Sequence, residues 1–342
     1  MRSMRNRLLA SLWSLAACAL CLPAGAAETW IVGPQAPSMT LQEAVRRAAD
    51  GDTVALMPGE YRGQSAVVVD KRLVIKALAE RPVLLGGGQP LAEGKGLLVV
   101  RGGEVTVENV EFRGARVPDG NGAGIRHDRG KLTVRDCVFL DNEIGILTGN
   151  DESAQLVVED SEFGMAPRIV GGLHHLLYVG RIGSFSIRGS RFYSGHEGHL
   201  LKSRARENRI TYNLIYDGDE GQASYEIDLP NGGMAWIVGN VLGQGPKGQN
   251  PVMVAYGAER AVWPKNGLYL AHNTFVGNPW PPSWFVRVFH DRVPADTEVK
   301  VINNATVGVG LLSPFTDGEF RGNVHAWRRR ALESIYTLEF LP

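Results

Sequence analysis

A six-residue pattern recurs along the middle of the chain and constrains its fold more than any other feature. Each copy has an aliphatic residue at its first position, a small or amide residue at its fourth and a large apolar residue at its sixth. The fourth positions of the eight strong copies are Val110, Cys137, Ser161, Ser190, Asn213, Asn240, Asn273 and Asn304. These copies recur every 23 to 33 residues, and a weaker copy follows at Asn323. A repeat of this length, with short strand-like runs between the copies, is typical of a solenoid.

The variable period, the short strands and the absence of a leucine-rich signature favour a parallel β-helix over other solenoids. In such a stack, equivalent residues of successive coils lie about 4.8 Å apart. A column of amides can then hydrogen-bond along the stack, because each amide has donors and an acceptor. We therefore predict that the asparagine column is structural. Cys137 occupies the same column, and we interpret it as a buried structural thiol rather than a nucleophile.

Segment 1–27 has the pattern of a secretory signal peptide. Arginines precede an apolar stretch that ends at Leu22, and small residues offer a cleavage site near residues 26–27. A lipoprotein signal that would lipidate Cys18 is the lower-ranked alternative. We expect a periplasmic or secreted protein. Removal of the segment would leave Cys137 alone, so that no intramolecular disulfide could form.

Composition excludes several classes of protein. Apolar residues make up 44% and charged residues 21% of the chain, which argues against extended disorder. Lys+Arg and Asp+Glu both number 36, so we predict no nucleic-acid partner, which would normally require a basic excess. No segment after the signal has the apolar length of a transmembrane helix. The 42 glycines indicate many turns. We also expect the protein to be a monomer.

The string TLQEAVRRAADGDTVALMPGEY, which begins at Thr40, reads as an amphipathic helix followed by a strand. One helix face would carry Leu41, Val45, Ala48 and Ala49, and it would cover the open end of a solenoid. The string resembles the opening of pectate-lyase-like, right-handed parallel β-helix proteins. Together with the ladder, this resemblance covers roughly residues 30–325.

The resemblance implies an all-β fold, a single-stranded right-handed parallel β-helix (solenoid) with a short N-terminal capping helix. The implied domains are a signal peptide at 1–27, a β-helix at 28–326 and a C-terminal cap at 327–342. The cap helix would lie near 40–50, with repeats from about residue 53. The superfamily contains polysaccharide lyases, hydrolases, esterases, epimerases and non-catalytic surface proteins, so the fold alone does not assign a reaction.

Three strand-like strings, LLYVG, LLKSR and EIDLP, precede ladder residues at nearly constant distance. Alternation along a strand directs one aliphatic residue of each string inward, namely Leu177, Leu201 and Ile227. It directs one polar residue of each outward, namely Tyr178, Lys202 and Asp228. These three precede their ladder residues by 11 or 12 positions, which predicts one external column with members about 4.8 Å apart. Arg126 stands at the same offset from Cys137 and is assigned to this column.

Other polar residues are expected around the column. Glu226 and Arg204 would flank it on the same face, and His175 and His199 would lie at the strand entrances. Such a mixture of tyrosine, cations, imidazoles and carboxylates suits an acidic polysaccharide, one that contains uronate. The predicted substrate-binding residues are Arg126, Tyr225, Glu226, Asp228, Trp280 and Trp284.

A β-eliminating lyase must neutralise the uronate carboxylate, remove the C5 proton and protonate the leaving oxygen. We predict Lys202 as the base, provided that neighbouring positive charge lowers its pKa. Tyr178 or His175 would protonate the leaving group, and His199 is a further catalytic candidate. Arg204 would neutralise the carboxylate.

The string GHLLKS, followed by NRITYN, resembles the lysine-bearing coil of chondroitinase B and related alginate lyases. This resemblance implies that Lys202 is the base. The next coil departs from that family, since Asp228 and Leu229 stand where the catalytic arginine would be expected.

Two alternatives to the lyase remain open. Glu226 and Asp228, two residues apart on one strand face, would be about 6.6–6.8 Å apart, which fits an inverting glycoside hydrolase. The same two carboxylates would hold Ca²⁺ if a cation is used. The pairs His174–His175 and His196–His199 could suggest zinc, but adjacent histidines on a strand point to opposite faces, so we do not predict that these histidines bind a metal. The second alternative is a non-catalytic polysaccharide-binding or envelope-structural protein, in which Trp280 and Trp284 pack onto the coil or stack against a sugar ring.

Overall fold

The computed structural model describes residues 26–35, 37–169, 174–277, 282–313 and 315–327. Most of the predicted signal peptide, Trp280 and the segment after Trp327 lie outside the described residues. The predictions made for them stay predictions. No helix among the described residues is long and apolar enough to cross a membrane.

The described chain forms one α-helix, α1 (Leu41–Arg47), one short 3-10 helix (His290–Arg292) and thirty β-strands. In chain order the strands are β1 (Thr29–Val32), β2 (Thr53–Leu56), β3 (Glu60–Arg62), β4 (Ala66–Ala77), β5 (Val83–Leu85), β6 (Gly96–Glu108), β7 (Glu111–Arg113), β8 (Ala123–Arg135), β9 (Val138–Leu140), β10 (Ile144–Thr148), β11 (Gln155–Glu159), β12 (Glu162–Gly164), β13 (Leu177–Val179), β14 (Ser184–Arg188), β15 (Arg191–Tyr193), β16 (Leu201–Ser203), β17 (Glu207–Thr211), β18 (Leu214–Tyr216), β19 (Ile227–Leu229), β20 (Met234–Val238), β21 (Val241–Gly243), β22 (Val252–Tyr256), β23 (Gly267–Ala271), β24 (Thr274–Val276), β25 (Ser283–Val288), β26 (Glu298–Ile302), β27 (Ala305–Val307), β28 (Gly310–Leu311), β29 (Glu319–Arg321) and β30 (Val324–Ala326).

These strands stack in parallel along three faces of a solenoid. The first face contains β10, β13, β16, β19, β22, β25 and β28, preceded by the first halves of the long strands β4, β6 and β8. The second face contains β11, β14, β17, β20, β23, β26 and β29, preceded by β1, β2 and the second halves of the same long strands. The third face is a separate eleven-stranded sheet. The predicted parallel β-helix is confirmed.

The asparagine column forms a hydrogen-bond ladder between the second and third faces. Asn240 Oδ1 accepts the backbone N–H of Asn213 at 2.9 Å, and Asn273 Oδ1 accepts the backbone N–H of Asn240 at 2.9 Å. The Nδ2 of Asn240 donates to the Ile210 carbonyl oxygen at 2.8 Å. Each amide therefore satisfies buried polar groups of the coils beside it. Cys137 lies buried in the same column, and burial raises its pKa to about 12, which suppresses the reactive thiolate.

Apolar rings fill the interior beside this ladder. Four phenylalanines on the third face stack coil upon coil, with ring centroids 5.1, 4.7 and 4.7 Å apart; they are Phe112, Phe139, Phe163 and Phe192. They are the sixth-position residues of the repeat. The repeat therefore encodes the core and its polar column together.

The corner before each ladder residue requires a left-handed backbone conformation. The residues that occupy it with positive φ are Asn109, Asp136, Asp160, Gly189, Tyr212, Gly239, His272, Asn303 and Gly322. Most are not glycine, so the glycine excess does not map simply onto these corners. Side-chain amides and carboxylates tolerate this conformation better than β-branched residues do.

Helix α1 covers the N-terminal end, as predicted. The Thr40 hydroxyl caps it by accepting the N–H of Glu43 at 3.3 Å, and Leu41, Ala44 and Val45 are its buried residues. Ala49, predicted on the buried face, is exposed because the helix ends before it. The stack also starts earlier than residue 53, since β1 pairs in parallel with β2.

Candidate functional site

The first face carries the predicted external column. Tyr178 lies in register with Lys202, and Lys202 with Asp228. The inward partners predicted from alternation, Leu177, Leu201 and Ile227, are fully buried. The constant offset from the ladder thus identified both the register and the orientation of these three strands.

Arg126 belongs to the same column, as its offset from Cys137 predicts, and Leu147 lies between it and Tyr178. Arg126 is therefore two strand spacings, about 10 Å, from Tyr178, and its Nε binds Asp128 Oδ1 at 2.7 Å. Leu147 packs with Ile144 in a small apolar cluster outside the main core, against which Tyr178 packs. This cluster separates Arg126 from the other polar residues.

A second column of rings runs beside the first. The ring centroids of His175 and His199 are 4.9 Å apart, and those of His199 and Tyr225 are 4.7 Å apart. His175 Nδ1 accepts the backbone N–H of His199 at 2.9 Å, and His199 Nδ1 accepts that of Tyr225 at 3.3 Å. Burial, together with the charges of His199 and Lys202, holds the pKa of His175 well below its ordinary value. His175 is therefore neutral, with its proton on Nε2.

Lys202 is held between two carboxylates. Its Nζ lies 3.3 Å from Asp228 Oδ2 and 3.0 Å from Glu259 Oε1. His199 Nε2 lies 3.3 Å from the same Asp228 oxygen. Lys202 is 8% exposed and Asp228 2%, so this ion pair is buried rather than a surface contact. The Lys202 Nζ is thus engaged by two carboxylates, whereas a general base needs an atom free to accept a proton from the substrate.

Arg204 contacts three different residues, one through each of its side-chain nitrogens. Its Nε donates to the Tyr178 hydroxyl oxygen at 3.0 Å, and its Nη1 donates to Asn231 Oδ1 at 2.6 Å. Its Nη2 lies 2.7 Å from Glu259 Oε2. Burial works to raise the pKa of the Glu259 carboxyl, but the ion pairs with Lys202 and Arg204 outweigh it and lower that pKa.

The sequence interpretation missed Glu259 and Asn231. Both lie just beyond strands of the first face, Asn231 after β19 and Glu259 after β22. The sequence signal that bears on Glu259 is the 33-residue interval between Asn240 and Asn273, which leaves room for an insertion at 257–267 but does not show what the insertion contacts. The insertion folds back over the two preceding coils, where the Trp263 Nε1 donates to the Arg204 carbonyl oxygen at 3.0 Å.

Glu226 does not share a face with Asp228, and this prediction is wrong. Register places Glu226 between Leu200 and Met253, both fully buried in the core. Its carboxyl is 1% exposed, and its Oε2 has no hydrogen-bond partner. Burial, together with the nearby Asp217, raises its pKa well above the ordinary value. Strand β19 begins only after this residue, so alternation does not apply to it.

The predicted carboxylate pair is therefore absent from the surface. Glu226 and Asp228 do not face a common space, which removes the basis for an inverting pair and for a Ca²⁺ site made by the two. Across the described ranges, no group of three or more histidine, cysteine or acidic residues is arranged to hold a metal ion.

Replacement of Glu226 tests its core assignment. We expect Glu226→Met to raise the free energy of unfolding by about 2 kcal/mol at pH 7.5, because it replaces a buried carboxyl with an apolar side chain. Because the pKa of Glu226 is raised in the folded state, the destabilisation that this carboxyl causes grows as pH rises above its unfolded-state pKa. The increase in the free energy of unfolding that methionine brings should therefore be smaller at pH 5 than at pH 7.5. Urea denaturation at both pH values measures it. A destabilised Glu226→Met protein with a well-folded Glu226→Gln control would contradict this assignment.

Trp284 lies on the first face, within strand β25 rather than in a loop. It belongs to the column of His199 and Tyr225, separated from Tyr225 by Val252. The guanidinium carbon of Arg287 lies 4.7 Å from its ring centroid. A partly exposed indole and a cation thus extend the polar surface beyond Asp228.

This cluster has defined chemical capabilities. Lys202 and Arg204 together bind a carboxylate, as their contacts with Glu259 demonstrate. The Tyr178 hydroxyl, which accepts a hydrogen bond from Arg204 Nε, places a group that can transfer a proton beside these cations. His175 adds a neutral N–H donor, with its ring edge-on to that of Tyr178 at 5.2 Å.

No family model and no curated protein sequence matches this chain. Two solved structures share its architecture with TM-scores of 0.55. Pectate lyase Pel9A is 13% identical, and the match covers 86% of this chain and 79% of that one. GH136 lacto-N-biosidase from Eubacterium ramulus is 10% identical, and the match covers 88% of this chain and 68% of that one. At these identities the likeness shows the fold, and the protein is a parallel β-helix protein.

Proposed function

We propose that the first face binds an acidic polysaccharide and cleaves it by β-elimination. One observation carries the proposal. Lys202 and Arg204 hold the Glu259 carboxylate between them. Arg204 also donates a hydrogen bond to the hydroxyl of Tyr178, which therefore lies beside this carboxylate-binding place. Elimination next to a uronate carboxylate needs a cation at that carboxylate and a proton-transfer group within reach. The likeness to a pectate lyase agrees with this class and adds only the fold.

The contacts of Lys202 and Tyr178 support roles different from those that the sequence suggested. Lys202, paired with Asp228, joins Arg204 in neutralising the substrate carboxylate rather than serving as the base. Tyr178, whose hydroxyl oxygen accepts the Arg204 Nε hydrogen bond, takes the proton from C5 as the bond from C4 to the leaving oxygen breaks, and it then returns that proton to the leaving oxygen. His175 donates its Nε2 proton as a hydrogen bond to the sugar. Tyr225 and Trp284 offer rings along the same column for stacking.

The proposal is tested by incubating the protein with pectate, alginate and glycosaminoglycans and following the absorbance of unsaturated uronate. Product with a new double bond from at least one polymer is the expected result. Hydrolysis products without that double bond would refute elimination. Binding without any cleavage across the panel would favour a non-catalytic protein.

A lysine substitution separates the two possible roles of Lys202. We expect Lys202→Met to raise KM about tenfold or more with a smaller fall in kcat, because the lost cation contributes to binding of the carboxylate. If Lys202 were the base, kcat would instead fall by about 10² or more with little change in KM. Steady-state kinetics on the best substrate of the panel distinguish the two, and circular dichroism checks that the variant is folded.

One further observation favours non-catalytic glycan binding as the second candidate. On the second face, the rings of Trp236 and Tyr269 stack at 5.7 Å with an interplanar angle of 9°. The guanidinium carbon of Arg209 lies 4.5 Å over the Trp236 ring. Partly exposed rings beside a cation suit sugar stacking. Loss of glycan affinity in Trp236→Ala, with affinity retained in Lys202→Met, would favour this candidate.

A further inference from the structure

The carboxylate of Glu259 is bound as an external ligand would be. Each of its oxygens contacts a different cation, Lys202 Nζ at 3.0 Å and Arg204 Nη2 at 2.7 Å. The Glu259 side chain is 47% exposed, whereas those of Lys202 and Arg204 are 10% and 17% exposed. The anion therefore lies on the solvent side of two largely covered cations.

Both cations are positioned without Glu259. Lys202 also pairs with Asp228, whose side chain is 3% exposed. The other nitrogens of Arg204 are bound to the Tyr178 hydroxyl and to Asn231. Departure of the Glu259 carboxylate would leave Lys202 Nζ and Arg204 Nη2 in place, and such preorganisation lowers the cost of binding a new anion.

The backbone that carries Glu259 is fixed to the underlying coil. The Glu259 N–H donates to the Pro230 carbonyl oxygen at 2.9 Å, and the Val262 N–H donates to that of Asn231 at 3.1 Å. Trp263 is 7% exposed, with its indole N–H bound to the Arg204 carbonyl oxygen. Rotation of the Glu259 side chain alone can therefore open the place between the cations, without movement of the segment.

We infer that Glu259 occupies the subsite for a substrate carboxylate, and that a uronate residue of the glycan displaces its side chain. This inference rests on the proposed function and names its substrate class, a glycan with hexuronate carboxylates. The exchange is balanced in charge, because one carboxylate replaces another between the same cations. Neutral glycans cannot make the exchange, so Glu259 also acts as a specificity-determining residue.

The test compares wild type, Glu259→Ala and Glu259→Gln by calorimetry with oligogalacturonate, oligomannuronate and oligoglucuronate, and with carboxyl-reduced, neutral forms of the same oligomers. We expect both variants to bind a uronate oligomer about 3- to 10-fold more tightly than wild type, with affinity for the neutral oligomers unchanged. Glu104→Ala is the matched control, because Glu104 is also half-exposed and binds a lysine, Lys131, at 2.7 Å. It should change neither affinity.

Unchanged or weaker uronate binding in both Glu259 variants would overturn the inference, as would absence of uronate binding in all three proteins. Tighter binding without cleavage would support the inference while refuting the proposed elimination, so the two failures are distinguishable. A crystal structure of wild type with a uronate oligomer supplies a test independent of variant folding. The expected result is a ligand carboxylate at Lys202 and Arg204 with Glu259 rotated away. A ligand bound elsewhere, with Glu259 still on both cations, would contradict it.

Discussion

Tyr178→Phe is expected to lower kcat on an acidic polysaccharide by about 10² to 10³, with KM changed by less than about threefold. The hydroxyl is the only part of the side chain removed, and it is the group that accepts the Arg204 Nε hydrogen bond at 3.0 Å. The ring would still pack against the apolar cluster that contains Leu147. The loss should therefore fall on proton transfer rather than on folding or binding.

Tyr212→Phe is the matched control for this experiment. Tyr212 is 61% exposed, and the guanidinium of Arg188 lies over its ring at 5.4 Å, so it is also a tyrosine beside an arginine. It lies at the corner between the second and third faces, away from Lys202, and its substitution should leave kcat within about twofold. A Tyr178→Phe enzyme that keeps wild-type kcat, with Lys202→Met inactive, would return the role of base to Lys202.

Asn240→Ala is expected to lower the free energy of unfolding by about 4 kcal/mol. The substitution leaves the Asn213 N–H and the Ile210 carbonyl without their partners inside the turn. Each buried polar group left unsatisfied costs about 1–3 kcal/mol. The loss is measured by chemical denaturation followed by circular dichroism.

Asn240→Ser provides an internal comparison. A serine hydroxyl fills this role elsewhere in the ladder, where Ser190 Oγ accepts the Ser161 N–H at 3.1 Å. The serine variant should therefore lose less stability than the alanine variant. Equal losses in the two variants would mean that packing, and not the hydrogen bond, determines the contribution of Asn240.

The fold could be predicted from the sequence because every coil repeats the same pattern of a buried polar ladder residue between apolar core residues. A ladder residue such as Asn240 needs a buried hydrogen-bond partner in the coil above and in the coil below. A strand that precedes each ladder residue by a fixed number of positions is therefore aligned with the equivalent strands of the neighbouring coils. That distance was sufficient to place Tyr178, Lys202 and Asp228 side by side. It also assigned Arg126 to the same column, but it did not show that Leu147, which has no polar signature, separates Arg126 from Tyr178.

The candidate site could be predicted only where strands determine it. Glu226 was misplaced because it precedes the first residue of β19, and the chain there turns its side chain into the core. Glu259 was missed because the length of a loop does not predict which residues the loop will contact. Its contact with Lys202 is the reason for proposing that this lysine binds a carboxylate rather than acts as the base. Sequence alone could not supply that contact, which joins residues 57 positions apart.

The insertion at 257–267 also affects how the solenoid should unfold. In a regular solenoid each coil contacts only its immediate neighbours, so unravelling can proceed from an end one coil at a time. Here Glu259 and Trp263 reach past the adjacent coil to Lys202 and Arg204. Three consecutive coils are thereby joined into one cooperative unit. Fraying from the C-terminal end should stop at this unit until a larger barrier is crossed, and during synthesis the anion subsite can assemble only after all three coils have formed.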